Sequence, residues 1–436
     1  MSKIDDYISR NYMNNPFWWD EEVKKGINAT RISKVFNLKQ YLGGQHDVLH
    51  REDMKFKDKE FKVKKLIIQN AKTILNFHST YLLGNPVSLV GSENMVDTFE
   101  EVYRKGGYQD IDFKLLDKIC KFGDGFEYIY KDGDTITSKV IANEDAYPVF
   151  ADDMSYIAFI EHWTNIEGIS YWNVYYEDRV EEWTNEGSVM TMLGRYKNIS
   201  GLPIHLHGIS DVDDRFGEGL LENIKPILDE IEDLLSKMGD AIYTLSLNPL
   251  LFTTGQAIEG NGVSNDAVGY NVSMENGCTM NYVSATMDYS SIKYYLDSLQ
   301  NELNMVGYMP SILGGSGNIA NVSEVSLKLL YQLADVFAMM NEKVMRYGIN
   351  KRFEVIAKLL GVEFTKEEYV NVSFNYSRPQ NASELLDNMS KQFDMGAISK
   401  RTIIEKSPLT SDVGQELNRI DEEGLNSVAN NQNDNE

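Results

Sequence analysis

Residues Phe216–Ile242 read FGEGLLENIKPILDEIEDLLSKMGDAI. Leu220, Leu221, Ile224, Ile227, Leu228, Ile231, Leu234, Leu235 and Met238 recur on one broad face, so the spacing predicts a long amphipathic helix over 218–247. Pro226 stands near its start, where a missing N–H is tolerated. Asp229, Glu230, Glu232 and Asp233 follow and suit the positive end of the helix dipole. Upstream, from 123 to about 208, the texture is the opposite. FEYIY, TITSKVI, AYPVF, IAFIEHW, YWNVYYEDRVEEW and MTMLGRY alternate with turn signals such as Asp132-Gly133-Asp134. Short β-rich runs at that spacing predict a small antiparallel sheet or barrel. A long helix beside a block of short strands sets the class as α+β.

Downstream of the helix, residues 248–285 are rich in Gly, Asn and Ser and predict a small β excursion, followed by a helix over Tyr289–Asn304. The loop Gly307–Ala320 (GYMPSILGGSGNIA) leads into Asn321-Val-Ser-Glu324, which fits a capping box. A helical period then runs through 322–360, on the order of 58 Å if continuous, with Gly348 as the expected bend. A strand at Tyr369–Tyr376, helices near 381–394 and 399–406, and a polar tail complete the C-terminal side. On the N-terminal side, an apolar stripe predicts a helix over 51–83, ended by Gly84-Asn85-Pro86. A strand at Val87–Val90 and helices at Asp97–Gly106 and Asp112–Phe122 follow. Lys55, Lys57, Lys59, Lys62, Lys64 and Lys65 cluster in this region with interleaved acids; they read as a solvated face or as a phosphate-contacting patch. Phe17-Trp18-Trp19 reads as a docking surface or as aromatics buried under a neighbouring element.

Composition narrows the function. The chain has 436 residues, 42 Lys+Arg and 66 Asp+Glu, for a formal charge of −24. A generically basic nucleic-acid coat is excluded, because such proteins neutralise phosphate with surplus cations. Two cysteines, Cys120 and Cys278, make no disulfide scaffold and fit a reducing, intracellular setting. The length allows about two to four domains. The first twenty residues carry no apolar signal region. The most apolar run, Ala241–Phe252, has 12 residues, against about 20 needed to cross a bilayer. No membrane association is expected.

Catalytic chemistry is hard to place. Gly314-Gly315-Ser316-Gly317-Asn318 is Gly-rich, but no Lys-Ser/Thr follows and the nearest lysine is Lys328, so it is no P-loop. It reads as a surface loop or as an anion site at a helix N-terminus. His46/His50 and His205/His207 are spaced like metal pairs but lack a third ligand. Asp211-Val212-Asp213-Asp214 begins like a calcium loop and fails at Arg215 and Phe216. No Gly-x-Ser-x-Gly occurs. Neither cofactor nor metal is expected, and the reading favours an assembly component over an enzyme.

Five segments in this order resemble one family, the portal proteins of tailed double-stranded DNA bacteriophages, of the type found in siphophages of Gram-positive hosts. They are LLGNPVSL (Leu82–Leu89), CKFGDGFEYIYKDGD (Cys120–Asp134), NEDAYPVFADDMSYIAFIEHW (Asn143–Trp163), the long helix Phe216–Ile242, and GGSGNIANVSEVSLKLLY (Gly314–Tyr331). Where family members often carry Ser-Gly-x-Ala-Leu-Lys, this chain has Ser323-Glu324-Val325-Ser326-Leu327-Lys328.

The resemblance implies a portal fold and a homo-oligomeric ring, normally a dodecamer, at one capsid vertex of a virion assembled in the host cytoplasm. Residues 1–215 and 322–376 would form the wing, with a small β-barrel at about 123–208. Residues 216–247 and 287–306 would be stem helices, 248–286 the clip, 307–321 the tunnel loop and 377–436 a helical crown. The implied partners are duplex DNA in the channel, the terminase large subunit, a head–tail adaptor, and the major capsid and scaffolding proteins. Ile312, Leu313, Gly314, Gly315, Ser316, Gly317 and Asn318 are the expected DNA-proximal residues. Lys328, Asp229, Glu230, Glu232 and Asp233 are candidates for channel lining. The rival readings are a carboxylate-based hydrolase and another head-completion protein.

Overall fold

The computed structural model of the chain describes residues 2–56, 59–242, 250–254, 276–283, 288–310, 324–378, 382–407, 410, 413–417 and 419–420. They fall into two units, one of Met1–Met309 with Leu333–Ser377 and one of Pro310–Gln332 with Arg378–Glu436.

In the first unit, strands β4 (Asp124–Asp132) to β11 (Ile204–His207) occupy the stretch expected to be β-rich. β5 is Thr135–Ile141, β6 Ala146–Phe150, β7 Tyr156–Thr164, β8 Ser170–Tyr175, β9 Arg179–Thr184 and β10 Thr191–Lys197. They do not close into the expected barrel. They form an antiparallel five-stranded sheet, β10-β9-β8-β7-β6, and a separate three-stranded sheet, β11-β4-β5. β6 is an edge strand, which lets Pro148 sit in it without breaking a ladder on both sides. The sheets instead share a core: Phe126 and Ile141 of one pack with Ala146, Phe159, Tyr175 and Val180 of the other. Alternating apolar residues can fill one face of each sheet in this way without ring closure.

Helices α1 (Lys3–Tyr12) and α2 (Trp18–Val23) cover the five-stranded sheet, and α3 (Gly26–Leu42) follows. Ser2 and Asp5 form a reciprocal capping box on α1. Trp18 and Trp19 are fully enclosed, so the aromatic run is core and not an exposed docking surface. The Trp19 ring lies 5.0 Å from Trp172 and 5.5 Å from Trp183, while the Trp18 indole N–H donates to the Tyr176 hydroxyl at 3.1 Å. Phe17 reaches Trp183 edge-on at 5.6 Å. Sequence neighbours thus fill different niches of the same sheet.

The helix expected over 51–83 is only partly formed. A short hairpin, β1 (Met54–Phe56) with β2 (Lys59–Phe61), precedes an extended segment over 62–69, and only α4 (Asn70–Leu83) is helical. β3 (Ser88–Gly91), α5 (Glu93–Gly106) and α6 (Tyr108–Phe122) follow as read. α7 (Leu220–Ala241) and α8 (Tyr289–Val306) are the long helices expected after the sheets. The period over 322–360 is broken at Tyr331 into α9 (Glu324–Leu330) and α10 (Gln332–Leu360). Gly348 does not break α10. It lies against β11, where a Cβ would come within 2.3 Å of Leu206; the glycine permits close packing. β12 (Leu250–Thr254) pairs antiparallel with β13 (Thr279–Val283), and β14 (Val370–Ser373) pairs antiparallel with β3. In the second unit, α11 (Ala382–Asp394) and α12 (Lys400–Lys406) form as expected.

A buried charge network ties these layers together. Arg352 of α10 is fully enclosed and grips Glu127 of β4 with two nitrogens, at 2.7 and 3.1 Å. It also donates to Asp112 of α6 at 2.6 Å and to the Tyr103 hydroxyl at 3.0 Å. One planar guanidinium therefore fixes helix, helix and sheet at once, the geometry that suits Arg over Lys.

Candidate functional site

The apolar face of α7 is buried through Leu220, Leu221, Ile224, Leu228 and Ile231. Its polar face clasps the extended segment 62–69. Backbone N–H groups of Lys64, Leu66 and Ile68 donate to Asp240 (2.7 Å), Ser236 (2.9 Å) and Glu232 (2.7 Å). Two residues of extended chain advance about 6.6 Å and four residues of helix about 6.0 Å. Acceptors one helical turn apart therefore match alternate donors on the strap. This explains why 62–69 is extended: its donors are satisfied by α7 side chains, and a helix would have withdrawn them.

The four carboxylates singled out on α7 do different work. Glu232 is 1% exposed and meets His46 Nδ1 at 2.8 Å; it is a structural carboxylate inside the fold and is not presented as a wall. Asp229 pairs with Lys225 at 2.6 Å; burial raises its pKa, against the pull of that lysine. Asp233 pairs with Lys237 at 2.5 Å and Arg51 at 3.4 Å. Glu230 accepts from the Tyr295 hydroxyl of α8 at 3.1 Å. α8 packs along α7, yet among the described residues Leu303 is its only buried position. Tyr289, Tyr294, Tyr295 and Met305 are exposed. A helix this bare of cover has apolar area left for a partner.

The chain leaves α8 through a fixed root. Tyr308 adopts a left-handed conformation, φ 52°, and its ring stacks on Phe337 of α10 at 5.0 Å. His78 of α4 lies 4.5 Å from the same Phe337 ring and donates from Nε2 to the Gly307 carbonyl at 2.7 Å. Burial pushes the His78 pKa down to about 4, against the carbonyl bond, which favours the charged form. It is therefore a neutral imidazole over the physiological range. Nothing in the sequence marks His78, because its partner Gly307 is 229 positions away. The same holds for Arg352, Ser236 and Asp240, whose partners Glu127, Leu66 and Lys64 are equally remote in sequence.

Ile312, Leu313, Gly314, Gly315, Ser316, Gly317 and Asn318 lie outside the described residues, as do Asn321 of the capping box and most of 248–286. Lys328 stands exposed on α9 in the second unit. One histidine of each pair has a partner inside the fold: His46 is enclosed and stacked on Tyr41, and His205 meets Asp124 at 2.8 Å, with both side chains nearly enclosed. Asp213 holds Arg215 at 3.0 Å in the acidic turn before α7. Among the described residues, no group of three potential metal ligands is gathered. No described helix is long and apolar enough to cross a membrane.

The family model described as phage portal protein, SPP1 Gp6-like, matches residues 21–428. The portal protein of Bacillus phage SPP1 is 26% identical over 223 residues, which is 48% of this chain. The match spans 41% of that relative's length. Among solved structures, a chain from the virion of a native gene transfer agent particle aligns over 76% of this chain and 87% of its own at 11% identity, with a TM-score of 0.48. A chain from the neck of the native particle, computed with C12 symmetry, covers 77% and 89% at 11% identity, with a TM-score of 0.49.

Proposed function

The chain belongs to the SPP1 Gp6-like family of phage portal proteins, and from that premise we propose that it assembles into a ring, of twelve copies, at one capsid vertex. The ring is a channel for duplex DNA during packaging and ejection, and the docking site for the terminase large subunit and a head–tail adaptor. Major capsid and scaffolding proteins surround it. Residues 1–215 and 322–376 are the wing, 216–247 and 287–306 the stem, 248–286 the clip, 307–321 the tunnel loop and 377–436 the crown.

The observation that carries assembly is α8, an amphipathic helix with one side on α7 and its tyrosines bare. A ring of copies covers such a face by repeating one heterologous contact until it closes. The channel is a passive conduit. With no P-loop in the sequence, the motor belongs to the terminase. Ile312, Leu313 and Asn318, with Gly314, Gly315, Ser316 and Gly317, approach the duplex by shape and phosphate, without base readout. Asp229, Glu230 and Asp233 of α7, and Lys328, line the wall; carboxylates there repel phosphate and keep DNA from sticking.

Electron microscopy of the purified full chain tests the assembly: closed rings with a central hole are expected, and a population of monomers and dimers alone overturns it. Deleting Gly314–Gly317 tests the conduit. Rings should remain intact while packaged DNA falls; undiminished packaging sinks the loop's role.

A further inference from the structure

Four lysines of this acidic chain gather at a second place, on α3 and α6. Lys39 of α3 and Lys114, Asp117, Lys118 and Lys121 of α6 rim a pocket of about 470 Å³ that Leu42, Phe122 and Val140 also line. Residues 114, 118 and 121 follow helical spacing on one face. Two of the four lysines are already engaged: Lys121 pairs with Asp117 at 2.6 Å, and Lys39 pairs with Glu144. Those two also sit in the last turns of their helices, where a cation complements the dipole. Lys114 and Lys118 have no such account. Lys118 is half-buried and, among the described residues, makes no hydrogen bond or ion pair. Burial, helped by the charges of Lys39 and Lys121, moves its pKa down, against Glu144 and Asp117. A half-buried ammonium whose nearby carboxylates, Glu144 and Asp117, are already paired with Lys39 and Lys121 is a costly arrangement in a lone subunit.

Large apolar side chains flank the pocket. Phe36 is 49% and Phe113 36% exposed. Phe36 stands one turn before Lys39, and Phe113 one turn before Asp117, so each shares a helix face with a rim residue. Exposed aromatics beside cations around a partly apolar pocket fit a protein surface that offers carboxylates and an apolar contact. Duplex DNA offers phosphates but nothing to cover the phenylalanines.

We infer that this α3–α6 face docks an acidic surface of the next copy of the chain, and so forms one side of the ring contact. The inference rests on the ring reading above. Its warrant for a second copy is charge. Each subunit carries −24, so copies repel one another at long range, and closure requires cations concentrated where copies meet. Charge complementarity of this kind also selects the register of contact.

The test uses the full chain, with ring population read by native mass spectrometry. The variants are Lys114→Glu/Lys118→Glu, Phe36→Ser, and Lys366→Glu as an exposed control elsewhere. The double charge reversal is expected to lower the ring fraction about a hundredfold, the order produced when attraction across an interface becomes repulsion. Phe36→Ser, which keeps every charge, should lower it less. Lys366→Glu should leave it unchanged. Wild type that forms no ring overturns the ring reading and this inference with it. Wild-type rings accompanied by equal rings from the double variant and from Phe36→Ser overturn this inference alone. Normal variant rings that fail to enter particles also overturn it, by assigning the face to another virion protein. Should the double variant unfold, Phe36→Ser decides between these outcomes.

Discussion

Tyr175 and Tyr294 occupy opposite situations in the same unit. Tyr175 lies enclosed between the two sheets, its ring 4.6 Å from Tyr128 and 5.8 Å from Phe159, and its hydroxyl donates to Glu161 at 3.1 Å. Tyr294 stands on α8, 76% exposed. The same contrast holds around each of them. The sheet-bearing region encloses tryptophans, phenylalanines and even an arginine with its counter-charges. The α7–α8 hairpin is anchored on α7 and left open on α8. A region that satisfies its own apolar and polar groups folds on its own account. A region that leaves aromatic side chains bare is finished by something it binds.

The largest effect is expected at Arg352. Arg352→Met leaves Asp112 and Glu127 as buried carboxylates without their cation, which costs about 3–5 kcal/mol, measurable by chemical denaturation of the monomer. Replacing all three by apolar residues of similar volume should recover most of that loss. If Arg352→Met alone is neutral, the network does not hold the layers. Burial raises the Asp112 pKa from 3.8 to about 6, with Arg352 opposing. The folded state therefore binds this proton more tightly than the unfolded chain. Its contribution favours folding at low pH and is lost as pH rises from about 4 to about 6.

His78 carries the opposite sign. Its pKa falls from 6.5 to about 4 on folding, so the unfolded chain binds the proton more readily. Stability at the root of α8 should fall as pH drops from about 6.5 to about 4, by about 3 kcal/mol at most. His78→Gln keeps a donor for the Gly307 carbonyl and removes the titration. Melting curves of this variant should lose the wild-type slope over that window; an unchanged slope means another group is responsible.

A smaller effect tests the clasp of α7. Ser236→Ala leaves the Leu66 N–H without its acceptor, at a cost of about 1–2 kcal/mol. Hydrogen exchange at Leu66 should quicken about tenfold or more, a factor of ten being about 1.4 kcal/mol. Exchange at Phe126, inside the sheets, should not change. Equal acceleration at both sites would mean that the strap and the sheets open as one unit.

The positions of the long helices and of most strands were legible because apolar period reports burial directly. Phe216–Ile242 declares its face from Leu220 to Met238, and the strands alternate as half-buried strands must. The failures share one cause. The stretch 62–69 carries apolar and lysine residues at helical spacing, yet its backbone donors belong to Glu232, Ser236 and Asp240, which lie some 170 positions away. Gly348 looked like a hinge because a glycine in a helix has two meanings, and only Leu206 decides between them. The barrel failed for a related reason, since strand count and spacing say nothing about whether the first and last ladders meet. Among the candidate site residues, sequence placed Asp229, Glu230, Glu232 and Asp233 on one helix but could not separate the enclosed Glu232 from the others. That separation depends on His46 and Ile68. The Gly-rich loop drew attention, whereas its fixed root, His78 with Gly307 and Phe337, carried no local mark.

The smallest effect on folding should come from α8, and it discriminates most sharply between the two regions. Tyr294→Ser removes a ring that touches solvent, so monomer stability should change by no more than about 0.5 kcal/mol. Tyr175→Ala, by contrast, opens a cavity between the sheets and should cost about 3–5 kcal/mol. Assembly should reverse the ranking. If α8 is covered by a neighbouring copy, Tyr294→Ser should lower the ring fraction in native mass spectra at unchanged melting temperature. A Tyr294→Ser monomer that melts several degrees lower would show that α8 is already covered within one chain, and the contrast with the sheets would collapse. A variant with wild-type melting and wild-type rings would leave α8 bare for a partner other than a second copy, and the ring contact would then have to be sought elsewhere on the subunit.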